Sequence, residues 1–274
     1  MGLLTIDPEK CKRDGVCVET CPARLLVLEG REDVPAAIPG AEELCIDCGH
    51  CVAVCPHGAL SHRAMTAEEC PPIQKELQID ARQAEQFLRS RRSVRVYRDE
   101  PLDRETLVKL IRIARYAPSG HNAQPVRWLV IEDRAEVRRL AGIVVDWMRR
   151  LIAEGVEVAR VLHMDRVVEA WEAGRDRVCR EAPHVIVAHA PETDALAESA
   201  GIIALAYLEL AAYSMGLGAC WAGYFKSATL FYPPMAQALD LPAGHKILGA
   251  MMVGRPKYKY HRLPRRKEPP LTWR

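Results

Sequence analysis

The amino-acid sequence predicts an α+β protein of two domains, one over residues 1–72 and one over residues 80–274. Eight of the ten cysteines lie before residue 71, in a stretch with few periodic apolar segments. Residues 68–72 end in paired prolines, which cannot continue a helix, so this segment is interpreted as a linker. Beyond it, long helical patterns mix with a few short apolar runs, as is typical of an α+β domain.

Composition narrows the possible partners and location. The net charge is +2 and hydrophobic residues make up 49% of the chain, so nothing suggests a nucleic-acid or membrane partner. The longest apolar stretch, residues 201–213, contains Glu209 and is too short to cross a bilayer. Charges from Asp7 onward come too early for a signal peptide. We therefore expect a cytoplasmic protein in which clustered cysteines indicate metal binding rather than disulfides.

The second cysteine group has the spacing of bacterial ferredoxins. It reads Cys45-x2-Cys48-x2-Cys51-x3-Cys55-Pro56. Three closely spaced thiolates can bind three corners of a [4Fe–4S] cube, while the fourth cysteine reaches a different cluster. The alternative is a structural zinc site, but such sites more often use two separated Cys-x2-Cys pairs.

The first group repeats this frame with one substitution. It reads Cys11-x2-Asp14-x2-Cys17-x3-Cys21-Pro22, so Asp14 stands where the second cysteine belongs. A carboxylate oxygen is a harder ligand than a thiolate, and iron bound to it should be more labile. The site would then hold [4Fe–4S] with an Asp ligand, or lose that iron and become [3Fe–4S]. The alternative is that Asp14 is only a turn residue and the first cluster is absent.

Together the two groups resemble the two-cluster bacterial ferredoxins. The resemblance implies that Cys11, Cys17 and Cys55 hold one cluster, with Asp14 at its fourth corner. It implies that the other cluster is held by four cysteines: Cys45, Cys48, Cys51 and Cys21.

The second domain begins with two helical patterns and continues with alternating elements. The spacing predicts a helix over residues 80–91, and then a helix that starts at the N-cap Asp103. Apolar runs predict buried strands at 128–131, 185–188 and 247–253, and periodicity predicts helices over 134–151, 160–174 and 197–215.

Four segments of this domain are candidates for binding a cofactor. Residues 91–95 pack three arginines around Ser93; they are either a solvated basic face or a site for a phosphate. Residues 117–125 are a polar loop by the simplest interpretation. Residues 215–223 are not a dinucleotide fingerprint, because Trp221 replaces its third glycine and a helix precedes the segment. Residues 262–267 form a second basic cluster.

In this order and spacing, the four segments resemble the nitroreductase family, and specifically its ferredoxin-fused branch. The resemblance implies a homodimer with FMN at the subunit interface. The residues implied to bind FMN are Arg91, Arg92, Ser93, Arg95, Arg262 and Arg266, with Arg265 as a rival in the tail; Pro118, Ser119, Gly120 and Asn122 from the other subunit; and Cys220, Trp221, Ala222 and Gly223 along the ring system. The amide of Ala222 or Gly223 would face the flavin N5.

The two resemblances together imply a path for electrons. A donor, either a ferredoxin-like protein or NAD(P)H, would reduce the clusters, and these would reduce FMN. FMN would then reduce a nitroaromatic compound, a quinone or an activated alkene. Other flavin chemistry on the same fold, such as flavin cleavage or reductive dehalogenation, is an alternative. So is a non-catalytic electron carrier or redox sensor. No catalytic acid or base is assigned, although His121 lies in the flavin loop.

Overall fold

The computed structural model describes residues 2–30 and 32–274. Contacts divide the chain into two compact units. The first unit comprises Met1–Ile79 with His121–Ala123, and the second comprises Asp80–Gly120 with Gln124–Arg274.

The first unit is built from short elements around two small sheets. In chain order they are β1 (Leu4–Ile6), α1 (Val16–Thr20), β2 (Leu26–Val27), β3 (Ala36–Ala37), α2 (Ala41–Leu44), α3 (His50–Val54) and β4 (Leu60–His62). β1 pairs with β4 and β2 with β3, both antiparallel, and α1 packs against α3. A small core with Cys17, Val52 and Leu60 lies between them.

The backbone of this unit repeats with the cysteine frames. Gly15 precedes α1 at φ 74° and Gly49 precedes α3 at φ 70°. Two residues earlier, Arg13 and Asp47 are also left-handed, at φ 58° and 50°. Glycine adopts this conformation without a steric penalty. The chain therefore turns in the same way through both frames, although Asp14 replaces a cysteine in the first.

The second unit carries a four-stranded antiparallel sheet in the order β5-β6-β8-β7. Its elements are α4 (Ala81–Ser90), α5 (Arg104–Ala114), β5 (Arg127–Ile131), α6 (Arg134–Ala153), α7 (Glu157–Val161), α8 (Met164–Glu172), β6 (His184–Pro191), α9 (Ala197–Ser214), β7 (Gly218–Trp221), α10 (Gly223–Phe231), α11 (Pro233–Leu239) and β8 (His245–Gly254). The predicted α+β character of this domain is confirmed, as are the predicted strands within β5, β6 and β8.

Both faces of the sheet are covered, which explains its continuous apolar strands. Along β6, Val185 and Val187 belong to a core shared with α6, α8, α10 and α11. The alternate residues Ile186 and Ala188 belong to a second core with α5 and α9. Because successive strand residues point to opposite faces, a strand buried on both sides has no polar alternation.

Helix caps account for the starts of the first helices. Asp80 accepts a hydrogen bond from the Gln83 amide, and the Gln83 side chain accepts one from the Asp80 amide, which makes a capping box. Asp103 accepts from the Thr106 amide at 2.7 Å, so the predicted N-cap of α5 is confirmed.

One expectation for this unit is wrong. The helix predicted over residues 160–174 is broken, because His163 adopts a left-handed backbone conformation at φ 49° between α7 and α8. The sequence predicts no strand at residues 218–221, which form the edge strand β7, paired with β8. None of the helices in the described ranges is long and apolar enough to cross a membrane.

Candidate functional site

The first unit brings cysteines of both frames together. Burial raises the pKa of the Cys17 thiol, and the neighbouring thiolates of Cys55 and Cys11 raise it further. Such an electrostatic effect requires that these side chains lie close to one another. Cys55 is therefore within electrostatic range of the first frame although it belongs to the second.

The first three cysteines of the second frame also lie together. Burial raises the pKa of Cys51 to about 11, and the neighbouring thiolates of Cys48 and Cys45 contribute in the same direction. Cys21 and Cys45 pack against the same small core, which contains Leu3 and Leu25. Several thiols gathered in this way repel one another as thiolates, and a bound cationic metal group would remove that cost.

Two backbone amides point at the sulfurs of the fourth cysteines. The Leu25 amide donates to Cys21 Sγ and the Ala59 amide donates to Cys55 Sγ, each at 3.4 Å. Both donors lie four residues after the cysteine, so this feature also repeats between the frames. Amide donors of this kind stabilise the charged form of a thiolate, whether free or bound to metal.

Asp14 lies at the start of α1 and is 40% exposed. Its Oδ1 accepts from the Val16 amide at 3.3 Å, and its Oδ2 lies 4.0 Å from His57 Nε2. The first contact is that of a turn residue. Neither contact uses Oδ2 in a hydrogen bond, so the geometry accommodates either interpretation of this residue.

In the second unit, residues 91–95 run extended beside the edge strand β7. Ser93 forms a bridge with Ala219, and the Val94 amide donates to the Ala219 carbonyl at 3.0 Å. Two of the predicted flavin segments are therefore neighbours. Because side chains alternate along an extended chain, the segment presents two different faces. We call the face with Arg91, Ser93 and Arg95 the arginine face.

The arginine face adjoins a buried carboxylate and a buried thiol. Arg91 Nη1 donates to Glu209 Oε1 at 2.8 Å, and Glu209 is only 8% exposed. Burial raises the pKa of Cys220, while Arg95 lowers it and Glu209 raises it. Arg180 and the Ser93 hydroxyl also lower it, so all of these groups lie in the area around Cys220, within electrostatic range of its thiol.

The end of β7 and the start of α10 complete the area around Cys220 with Trp221, Ala222 and Gly223. The Trp221 side chain is 37% exposed. The Ala222 amide donates to the Ala250 carbonyl at 2.9 Å, so the sheet already uses it. Of the two amides expected to face a flavin N5, only Gly223 is left. Gly223 begins α10, where the first amides have no partner within the helix, and a Cβ built on it would meet open space.

Arg92 lies on the opposite side from the arginine face. With Arg262 it lines a cavity of about 340 Å³, which we call the tail cavity. Its other polar lining residues are Lys259, His261, three tyrosines, Gln86 and Ser90. Arg266 and its rival Arg265 lie beyond Leu263, the last tail residue in the lining, and both are exposed.

The residues expected from the other subunit lie in different surroundings. Pro118 and Ser119 line a second cavity of about 350 Å³, together with Arg112 and Arg115. A Cβ on Gly120 would come within 2.7 Å of Leu196 Cδ1, so Gly120 is closely packed.

Asn122 belongs to the first unit, where its side-chain amide donates to the carbonyls of Ile46 and Asp47. Asn122 is not among the residues that line this cavity.

Sequence reasoning missed three residues of these areas. Arg180 lies in a left-handed turn at φ 60°, far in sequence from residues 91–95. Glu209 was noted only as an interruption of an apolar stretch, although a lone carboxylate in such a helix is itself a signal of a buried partner. His62, in the first unit, is buried beside Cys45; it had no motif to mark it.

Comparison with known proteins assigns both parts of the chain. The sequence model of the nitroreductase family matches residues 88–255 of this chain. The chain belongs to the nitroreductase family. A 4Fe-4S dicluster domain matches residues 3–56. The resemblance inferred from the motifs is thus confirmed, as is the expectation of a nitroreductase-type, FMN-dependent oxidoreductase.

Individual relatives of this nitroreductase-family chain differ in activity. It is 30% identical over 182 residues to 5,6-dimethylbenzimidazole synthase of Rhodospirillum rubrum, covering 62% of this chain and 80% of the relative. The N-terminal part is 39% identical over 69 residues to a ferredoxin of Hydrogenibacillus schlegelii named Ferredoxin 7Fe, covering 25% of this chain and 82% of that protein.

A solved structure supports the fold. The crystal structure of a nitroreductase with bound FMN from Bacteroides fragilis matches with a TM-score of 0.58 at 18% identity. The match covers 69% of this chain and 96% of that one.

The contact between residues 91–95 and β7 depends on a small residue at position 218. A Cβ on Gly218 would lie 2.7 Å from Val94 Cβ, so Gly218→Ala has to displace residues 91–95, which we call the arginine segment. We expect this change to lower the free energy of unfolding by about 1–3 kcal/mol, the usual effect of overpacking. Denaturant titration measures it.

Gly142→Ala in α6 is the matched control, because its Cβ meets only the edge of Trp171 at 3.2 Å and alanine favours a helix. Equal unfolding free energies for Gly218→Ala and the unchanged protein would contradict the close contact.

Proposed function

We propose that this protein is a reductase in which electrons enter through two iron–sulfur clusters and leave from FMN to a small organic acceptor. The acceptor is a nitroaromatic compound, a quinone or an activated alkene. The observation that carries the proposal is that one chain combines gathered ferredoxin cysteines with two flavin segments held side by side by the Ser93–Ala219 bridge. When bound, FMN supplies the step between single-electron donors and a two-electron acceptor.

The proposed flavin site lies on the arginine face and along Trp221 and Gly223. Arg95 and Arg180 supply positive charge for a phosphate, and the Ser93 hydroxyl supplies a hydrogen bond. A Cβ at Gly223 would meet nothing within 4 Å, so there is room for a planar ring system to approach this residue. Pro118 and Ser119 would contact the same FMN from the other protomer of a homodimer, because the cavity they line includes none of the arginine-face residues.

The open space in front of Gly223 also favours an enzyme over an electron carrier. An acceptor needs room over the flavin, whereas a relay between proteins works through a covered ring. The similarity to 5,6-dimethylbenzimidazole synthase keeps different flavin chemistry as the second candidate function. The proposed donor is a ferredoxin-like protein or NAD(P)H.

In the first unit we propose the ligand sets implied by the ferredoxin resemblance. Cys11, Cys17 and Cys55 hold one cluster, with Asp14 at its fourth corner. The other cluster is held by Cys45, Cys48, Cys51 and Cys21. The effect of Cys55 on the pKa of Cys17 supports the exchange of fourth cysteines between frames. The similarity to a ferredoxin named for seven irons supports a labile corner at Asp14.

Matched removal of two arginines tests the flavin site. Arg95→Ala is expected to weaken FMN binding about 10- to 100-fold, since a hydrogen bond to a charged group contributes about 1.5–3 kcal/mol. Arg92→Ala removes the same charge from the opposite face and should retain FMN. Fluorescence titration of FMN into the apoprotein measures both. A larger loss in Arg92→Ala would place the phosphate in the tail cavity instead.

Asp14→Cys tests the first cluster. Anaerobically purified protein should contain about seven irons with an oxidised [3Fe–4S] EPR signal, or about eight if Asp14 holds the fourth iron. In the variant we expect about eight irons and no [3Fe–4S] signal after mild oxidation, because a thiolate binds that iron more tightly. Unchanged iron content and an unchanged spectrum would show that Asp14 is not at a cluster corner.

Cys48→Ala tests the path of electrons. With a reduced ferredoxin as donor and nitrofurazone as acceptor, we expect turnover to fall at least tenfold while FMN stays bound. Cys70→Ala is the control, since Cys70 lies outside both frames, and it should keep iron content and turnover. Full turnover in Cys48→Ala would mean that electrons reach FMN without the second cluster.

A further inference from the structure

His62 is a buried histidine placed directly against a proposed cluster ligand. It ends β4, and its side chain is only 1% exposed. Its Nε2 lies 3.4 Å from Cys45 Sγ and 3.5 Å from Asp47 Oδ1. On the other side of the ring, Nδ1 lies 3.0 Å from the backbone amide of Ala64.

The Ala64 contact determines which ring nitrogen carries the proton. A backbone N–H can only donate, so Nδ1 must accept and has no proton of its own. The proton of the neutral ring is then on Nε2, the atom that faces Cys45 and Asp47. His62 is therefore a hydrogen-bond donor to the sulfur.

We infer that the Nε2–H of His62 donates to Cys45 Sγ and raises the reduction potential of the cluster held by Cys45, Cys48, Cys51 and Cys21. This inference rests on the ligand set proposed above. A donor at a ligand sulfur withdraws electron density from it. It thus stabilises the reduced cluster, which carries one more negative charge, over the oxidised one. His62 is a positioning residue in this sense, because it acts through Cys45.

Neighbouring charges keep this donor in place. Arg63 Nε and Nη2 both donate to Asp47 Oδ1, at 3.1 and 3.0 Å, and Arg63 Nη1 donates to the Glu42 carbonyl at 3.0 Å. The guanidinium satisfies the Asp47 oxygen that would otherwise compete most strongly for the His62 proton. It also ties the loop between Cys45 and Cys48 to the end of β4.

The internal repeat shows that this donor is particular to one cluster. The frames are 34 residues apart, as Cys11 and Cys45 show, so the position matching His62 is Leu28. Leucine has no donor. The amides of Leu25 and Ala59, in contrast, give one equivalent hydrogen bond to a fourth cysteine in each frame. Their effects are matched between the two clusters, and the His62 donor adds to one cluster alone.

Cys45, Asp47 and His62 are also close enough together to bind a single metal ion. To bind that ion, Nε2 would have to be unprotonated, but it carries the ring proton. The ion would also need the Cys45 thiolate, which is a ligand of the proposed cluster. We therefore favour the hydrogen bond. One zinc per chain in addition to the cluster iron, in the purified holoprotein, would overturn this choice.

A redox titration of the full-length holoprotein, followed by EPR, tests the inference with three chains. His62→Leu copies the first frame and should lower the midpoint potential of the second cluster, leaving that of the first unchanged. His62→Gln keeps an N–H donor and should restore part of the difference. A tenfold change in the one-electron equilibrium corresponds to about 59 mV.

The iron and sulfide content distinguishes a failure of the His62 inference from a failure of the proposed function. A variant with full iron and sulfide but an unchanged potential overturns the role of His62 and leaves the ligand assignment intact. An unchanged protein without a cubane overturns the proposed function itself. Should His62→Leu not assemble its cluster, ENDOR of the unchanged protein labelled with 15N-histidine decides the matter. A coupled nitrogen and an exchangeable proton are expected, and their absence overturns the inference.

Discussion

The contact of residues 93 and 94 with β7 is the constraint on which the flavin end of the molecule depends. β7 is the edge strand of a sheet that is buried on both faces, so its outer backbone groups need a partner. The arginine segment supplies one through the Val94 amide. Pairing forces that segment to be extended, and an extended backbone places Arg91, Ser93 and Arg95 on one side. The distribution of charge in the site thus follows from covering a sheet edge.

The ion pair between Arg91 and Glu209 modifies that distribution. A carboxylate in an apolar helix is costly unless it is paired, and Arg91 provides the pair at 2.8 Å. The positive charge of Arg91 is then neutralised by Glu209. Among the described residues, Arg95 and Arg180 form no ion pair, so we place the positive end of the proposed site toward these two residues rather than at the start of the motif.

Much of this could be predicted from the sequence, and the remainder depends on tertiary contacts. The cysteine frames could be predicted because ligand spacing is a local property of the sequence. The helices α4, α5, α6 and α9 could be predicted because each has an N-cap residue or a long apolar period. The break at His163 between α7 and α8 could not be predicted, since a single residue in the left-handed conformation leaves the apolar periodicity on both sides intact. The division of residues 91–95 into two faces was also out of reach, because an extended conformation there is imposed by β7. His62 and Arg180 had no motif, and only the folded chain brings them to Cys45 and Cys220.

The proximity of Cys55 to Cys17 has a consequence for how the first unit matures during synthesis. Chains emerge from the ribosome N-terminus first, and domains generally fold as units. With the proposed ligands, the site around Cys17 stays incomplete until residue 55 has been added, although its other three positions, Cys11, Asp14 and Cys17, are complete by residue 17. A nascent chain that has emerged only as far as β3 therefore lacks ligands of both proposed clusters. With the proposed ligand sets, both clusters can be completed only after α3 has emerged.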